Sequence, residues 1–195
     1  MLKRKIMSSD LLQHLSLIIS EEEIMGKKVL EAGSRNVNGS IRSIIEPLQP
    51  SSYLGIDMED GIGVDRICNI CELVTEFGEN YFDVILSTST LEHVEDWRYA
   101  ILNLKRVLIP GGMMVITVPG IGCKYHGYPL DFWRYEMKDI HKIFDDMDIL
   151  YLTKEKVNVI VKIRKPMDFQ ECDLGHIVLY SIVKHKRIME KDYVD

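Results

Sequence analysis

Long apolar runs are missing from this sequence of 195 residues: none approaches the roughly 20 consecutive apolar residues that a membrane-crossing helix requires. A secretory signal is not expected either. Met1 to Lys5 carries three basic residues, but the stretch behind it mixes polar and apolar positions and runs into Glu21, Glu22 and Glu23. Together these absences are read as a cytoplasmic location with no membrane span. Basic charge is also short, with 24 lysines and arginines against 30 aspartates and glutamates and a net charge of -6. Long-range attraction to a phosphate backbone is therefore not the expected mode of action. No Asn-Pro-Pro-Tyr base-flipping motif or basic stripe is present, so nucleic acid is not an expected partner. Cysteine is scarce, at four residues. Cys68 and Cys71 have the two-residue gap of zinc and redox motifs, but the second pair that makes the zinc pattern strong is absent. They are read as small reduced core residues, and no metal is expected.

What remains is an ordinary globular composition, 46% apolar and 28% charged, with periodicities that alternate along the chain. Leu11, Leu12, Leu15, Ile18 and Ile19 recur at helical spacing and open the chain with an amphipathic helix. Packing on its own sheet is the first reading of that stripe; a homodimer face or a membrane-surface face is the alternative. Lys28 to Ala32 reads as a strand, followed by a polar turn and by helically spaced Ile41, Ile44, Ile45 and Leu48. Further strands are predicted over Ser52 to Met58, Arg66 to Ile70, Phe82 to Ser89 and Met113 to Val118. The face of Trp97, Ala100, Ile101, Leu104, Val107 and Leu108 predicts a helix stopped by Pro110, Gly111 and Gly112. Asp148 to Thr153 and Val157 to Ile163 are expected to close the sheet, and Ile177 to Val183 to pair at an edge. Strands separated by helices imply right-handed βαβ units. The expected fold is α/β: a Rossmann-like, doubly wound, mostly parallel seven-stranded sheet with helices on both faces.

In such a sheet, ligands bind beyond the carboxyl ends of the strands, where strand order reverses. The first strand exits as VLEAGSRNVNGS, residues 29–40, placing a carboxylate and a glycine before a helix. A dinucleotide turn would need G-x-G-x-x-G, but Arg35 stands at its second glycine position, and a P-loop would need a Gly-Lys-Ser/Thr ending that is absent. Asp57 ends the second strand in the tripeptide IDM, where a carboxylate can accept both hydroxyls of a ribose.

With these pieces joined, the stretch from Val29 to Pro119 resembles the class I S-adenosylmethionine-dependent methyltransferases, particularly the type 11 group. The resemblance is carried by VLEAG (29–33), IDM (56–58), CNICEL (68–73), FDVILSTSTLEHVEDW (82–97) and LKRVLIPGG (104–112). It implies S-adenosylmethionine as cofactor, with Glu31, Gly33 and Ser34 beside its methionine part. Asp57 would hold the ribose, Met58 pack on adenine, Asn69 and Ile70 flank the adenine edge, and Ser87 line the methyl-donating centre. Where the family usually has further glycines after Gly33 this chain reads SRNVNG, in which Asn38 and Gly39 can supply turn chemistry. The whole chain then reads as one methyltransferase domain: an N-terminal helix in residues 1–25, a cofactor-binding core in 26–119, and a substrate loop with a sheet-closing part in 120–195.

A sulfonium methyl donor is already activated, so the protein chiefly aligns the nucleophile and excludes water. An oxygen nucleophile also benefits from a base, and His93 in LEHVED is the candidate catalytic residue. The loop YHGYPLDFWRYE, residues 125–136, gathers Tyr125, His126, Tyr128, Asp131, Phe132, Trp133, Arg134 and Tyr135, and of these Tyr125, His126, Asp131, Trp133 and Arg134 are the candidate substrate contacts. Aromatic faces with interleaved polar groups suit a small or polar organic acceptor, with a saccharide or glycan oxygen in view because similar DFWR loops occur in methyltransferases encoded with polysaccharide-forming enzymes. Phe132 and Trp133 have a purely structural alternative, as anchors of the loop, with Arg134 paired to an acid. Two other functions stay open: a non-catalytic S-adenosylmethionine-binding regulatory domain, prompted by the altered glycine turn, and an NAD- or nucleotide-sugar-binding enzyme on a related sheet.

Overall fold

Strand side chains alternate between two faces, and the apolar residues here do so in register. Val29, Val84, Leu86, Met113 and Val115 point to one side of the sheet, and Leu30, Ile85, Met114, Ile116 and Val118 to the other. Both sets are buried, so the sheet is covered on both faces. The computed structural model describes residues 9–37, 39–127 and 130–190. Its strands are β1 (Lys28–Ala32), β2 (Ser52–Asp57), β3 (Arg66–Ile67), β4 (Phe82–Thr88), β5 (Leu108–Pro119), a short β6 (Trp133–Arg134), β7 (Asp148–Glu155) and β8 (Asn158–Arg164). Seven of them form one sheet in the order β3-β2-β1-β4-β5-β8-β7. The pairs from β3 through β5 are parallel, while β8 runs against both β5 and β7. A two-residue loop joins β7 to β8, with Lys156 at a φ of 54°.

Helices α1 (Ser9–Ile18), α2 (Glu21–Ile24) and α3 (Arg42–Ile45) cover the first face through Leu11, Leu15, Ile24 and Ile45. The leucine stripe of α1 is thus spent on its own sheet. Helices α4 (Leu73–Phe77), α5 (Trp97–Val107) and α6 (Met137–Ile143) cover the second, with Trp97, Leu104, Ile140 and Ile143 in that core. Pro47 lacks a backbone N–H donor, and the chain after α3 tightens into a 3-10 turn over Glu46–Leu48. Among the described residues no helix is long and apolar enough to cross a membrane.

Three expectations shift. The third strand shrinks to Arg66–Ile67, because Asn69 accepts a hydrogen bond from the Cys71 N–H and starts a 3-10 turn over Ile70–Glu72. Pro110, Gly111 and Gly112 do not separate α5 from the next strand but form an irregularity within β5, whose pairing with β4 jumps between Phe82 and Val84. The edge strand predicted over 177–183 is β9 (Leu179–Ser181), which joins β6 and β10 (Lys186–Ile188) in a separate three-stranded antiparallel sheet.

Candidate functional site

Strand order reverses between β1 and β4, and a cleft of about 540 Å³ opens beyond their carboxyl ends. Glu31, Gly33, Ser34, Asp57, Met58, Asn69 and Ile70 all line it. Gly33 has a φ of 83°, and a Cβ there would lie 2.0 Å from Thr90 Oγ1; the turn requires glycine in both conformation and space. The N–H groups of Gly33 and Ser34 both donate to the Ile56 carbonyl at 2.9 Å, tying the turn to β2. Ser34 Oγ is buried with no hydrogen-bond partner, an orphan polar atom at the cleft wall.

Asp57 sits at the end of β2 and accepts hydrogen bonds from the backbone N–H of Arg35 and of Glu59, each at 3.2 Å. Those bonds fix its carboxylate against the first turn, and an Arg35–Glu59 ion pair lies beside it. Glu31 is almost fully buried and receives a hydrogen bond from Tyr53 Oη at 2.7 Å. Burial outweighs that bond and pushes the Glu31 carboxyl up to about 7. Asn69 departs from its expected role, because its Oδ1 is engaged by the Cys71 N–H at 3.0 Å and it is the amide donor end that is left for a ligand.

Ser87 does not line the cleft. It is fully buried, with an unpartnered Oγ, because β4 continues one residue further and the chain leaves the sheet at Ser89, which has a φ of 52°. Thr88, Ser89 and Thr90 line the cleft in its place. Cys68 and Cys71 line it as well, with thiols directed at separate carbonyls, those of Asn69 and Asp96. The sequence pattern placed them in the core because they flank apolar residues.

The other end of the cleft is made by His93, Val94, His126, Leu130 and Phe132. The 3-10 turn over Leu91–His93 and the loop after β5 are stitched together here. The Phe132 N–H donates to the Glu92 carbonyl at 2.8 Å, and Tyr135 Oη to the Leu91 carbonyl at 3.1 Å. Trp133 Nε1 is shared between the carbonyls of Val94 and Glu95.

Trp133, Asp131 and Arg134 therefore stand outside the cleft as the loop's anchors. Trp133 and Arg134 are fully buried, and Arg134 holds Asp131 by two bonds of 2.5 and 2.6 Å and reaches the carbonyls of Cys123 and Lys124 at 3.1 Å. Tyr125 is half exposed and does not line the cleft, and Tyr128 and Asn38 lie outside the described residues. Of the named aromatic and polar residues of the loop, His126 and Phe132 line the cleft.

His93 Nδ1 is 2.5 Å from the Leu130 carbonyl and its Nε2 faces Glu92 Oε1 at 3.8 Å. Both ring nitrogens are thus turned to protein groups, which departs from the free lone pair that a base at His93 would present. His126 behaves alike: Nδ1 faces the Lys124 carbonyl at 3.1 Å and Asp131 Oδ2 at 3.2 Å, and Nε2 faces Glu92 Oε1 at 3.5 Å. The neighbouring Cys123 thiol and Glu92 carboxylate, with the nearby Asp131, push His126 up to about 10. Glu92, between the two rings, was missed by the sequence reading; its only signal was its place beside His93 in LEHVED.

Residues 48–116 match the model of a methyltransferase domain. A 72-residue stretch is 35% identical to a ubiquinone biosynthesis O-methyltransferase of Parvibaculum lavamentivorans, covering 37% of this chain and 28% of that relative. The chain thus spans well under a third of the length of the curated relative it matches. A Mesorhizobium loti S-adenosylmethionine-dependent methyltransferase superposes with a TM-score of 0.64 at 13% identity, over 81% of this chain and 98% of that one. The Burkholderia thailandensis 1,6-didemethyltoxoflavin-N1-methyltransferase, solved with 1,6-didemethyltoxoflavin and S-adenosylhomocysteine, superposes with a TM-score of 0.61 at 14% identity, over 80% and 78% of the two chains.

Proposed function

We propose that the chain is a class I S-adenosylmethionine-dependent methyltransferase that methylates a small polar organic acceptor, a reading supported by its fold and by the methyltransferase-domain match over residues 48–116. The observation that carries this reading is the convergence of Glu31, Asp57 and the orphan Ser34 hydroxyl on one cleft at the reversal of strand order. Bound S-adenosylmethionine supplies an activated methyl group on a sulfonium.

The chain's own residues supply binding and alignment. Glu31 meets the ammonium of the methionine part, and Ser34 offers its hydroxyl beside it. Asp57, held by two backbone donors, accepts the ribose hydroxyls. Asn69 offers its amide donor to adenine, where Ile70 supplies an apolar wall. His93, Val94, Leu130 and Phe132 shape the acceptor end and keep water out. The name of the Parvibaculum relative specifies an oxygen acceptor, which supports an oxygen here too. Trp133 is fully buried and offers no platform to a saccharide, which leaves Phe132 as the aromatic of the loop at the cleft.

Isothermal titration with S-adenosylhomocysteine and with NAD tests the cofactor, and transfer of a radiolabelled methyl group into a cell extract tests catalysis. Binding of S-adenosylhomocysteine but not NAD, together with labelling of a small extractable compound, is expected. NAD binding alone would overturn the reading, and cofactor binding with no transfer to any extract would favour a regulatory domain. His93→Ala is expected to depress transfer while leaving S-adenosylhomocysteine affinity intact.

A further inference from the structure

Glu92 carries a carboxylate that is fully buried and whose oxygens complete no hydrogen bond. A buried carboxylate requires a cation or several donors around it. What faces it is a pair of imidazoles, with His126 Nε2 at 3.5 Å and His93 Nε2 at 3.8 Å from the same Oε1. One donor atom from each of Glu92, His93 and His126 lies within 4.8 Å of the other two. A tetrahedral ion with bonds of about 2.0–2.1 Å sets its ligand atoms roughly 3.3 Å apart, so the two spacings to Glu92 need to close by only a few tenths of an ångström, and the two imidazoles, within 4.8 Å of each other, by no more than about 1.5 Å.

The outer partners match as well. Metal-bound histidines direct their second nitrogen to a carbonyl or carboxylate, which fixes the tautomer. His93 Nδ1 is held by the Leu130 carbonyl at 2.5 Å, and His126 Nδ1 faces the Lys124 carbonyl at 3.1 Å and Asp131 Oδ2 at 3.2 Å. A carbonyl can only accept, so each Nδ1 donates, and Nε2 is the ring atom that each histidine turns toward Glu92, where a bound ion would take the place of a proton on His126 Nε2. Asp131 is in turn fixed by Arg134, so the buried anchor of the loop also orients His126.

We propose that Glu92, His93 and His126 bind one divalent ion of the zinc type at the acceptor end of the cleft. Two histidines and one carboxylate are a donor set of zinc sites that keep an open position. The two imidazoles line the cleft while Glu92 lies behind them, so that position faces the acceptor. There an ion favours an acceptor with an ionisable hydroxyl, whose oxygen it would bind. Cys68 and Cys71 have the familiar metal spacing but direct their thiols to separate carbonyls. The site stands apart from the methyl-transfer reading, since metal uptake and cofactor binding are measured separately.

The test strips the full-length protein with a chelator and titrates it with Zn²⁺ and then Co²⁺. One ion per chain is expected, with the visible absorption of four-coordinate Co²⁺ and without a near-ultraviolet thiolate charge-transfer band. Glu92→Gln and His126→Ala should each weaken uptake by more than the roughly 10–100-fold cost of losing an outer partner, with S-adenosylhomocysteine affinity and the circular dichroism spectrum unchanged. A Cys68→Ser/Cys71→Ser variant should still bind one ion. Absence of stoichiometric uptake would overturn the proposal, leaving a proton to hold the cluster. Uptake that survives Glu92→Gln and His126→Ala would overturn it too, as would uptake lost with the cysteines. If either single variant unfolds, the thiolate band of the wild-type Co²⁺ complex decides between the cysteines and the histidines.

Discussion

Glu31 gives the most direct handle on the cofactor end of the cleft. Its carboxyl is almost fully buried, and burial pushes its pKa from 4.5 up to about 7 despite the bond from Tyr53. In the unfolded chain the same group titrates near its ordinary value, so between these limits the folded state holds a proton that the unfolded state has released. Stability from this group is fully present below about pH 4.5 and is lost as pH rises through about 7. Two pH units inside that window correspond to ~2.7 kcal/mol. Glu31→Gln keeps an acceptor for Tyr53 but cannot ionise. Urea unfolding of both proteins at pH 5.0 and 7.5 should therefore show wild type losing about 2–3 kcal/mol more than the variant on going to the higher pH. The ammonium that Glu31 is proposed to meet adds a second readout. It favours the ionised carboxylate, so wild-type affinity for S-adenosylhomocysteine should rise with pH up to about 7, approaching tenfold per unit, while the variant's stays flat. Parallel pH profiles in the two proteins would refute the reasoning, because they would place the titration elsewhere.

The other predictions address separate parts of the fold. Asp57→Asn keeps an acceptor for only one of the Arg35 and Glu59 N–H groups, which bond different oxygens, and loses the charge proposed to hold the ribose, so calorimetry should show S-adenosylhomocysteine affinity down by about tenfold or more, with a stability loss of only ~1 kcal/mol. Gly33→Ala places a methyl group 2.0 Å from Thr90 Oγ1 at a φ of 83°, and should cost ~2–4 kcal/mol in urea unfolding and abolish cofactor binding; wild-type affinity would show that the turn yields. Arg134→Ala leaves Asp131 buried without its partner, for a loss of ~3–5 kcal/mol by thermal or urea melts. Restoring much of that loss with an added Asp131→Asn would locate the cost in the stranded carboxylate.

The legible part of this molecule is the part whose signals are local. VLEAG and IDM are strand ends, and a strand announces itself through its own alternation; Glu31, Gly33, Ser34 and Asp57 consequently line the cleft as expected. Ser87 shows the grain of that inference, since one further residue of β4 hands its position to Thr88. Trp133 and Arg134 were legible only as an alternative, the anchoring that the structure shows, for a different reason. Their sequence neighbourhood is a polar, aromatic loop with the look of a binding surface, but their burial is decided by β9 and by the turn over Leu91–His93, segments far away in the chain. Glu92 is the extreme case, a charged residue whose full burial depends on two histidines, one of them on the loop beyond β5.

The same contrast divides the work of the two ends of the cleft. The cofactor end is set by the carboxyl termini of β1, β2 and β4, positions that the parallel ladder fixes residue by residue. The acceptor end is set by a loop whose course depends on a few buried bonds: the Asp131–Arg134 pair, the Trp133 Nε1 bonds and the Phe132 N–H to the Glu92 carbonyl. Replacing side chains that face the cleft from that loop, such as Leu130 and His126, leaves those anchors in place, because the anchoring groups point away from the cleft. Under the proposed function, acceptor choice can therefore change without disturbing the sheet or the proposed cofactor site, whereas loss of the Arg134 anchor is expected to remove the proposed acceptor end as a unit, His126 and its orientation included.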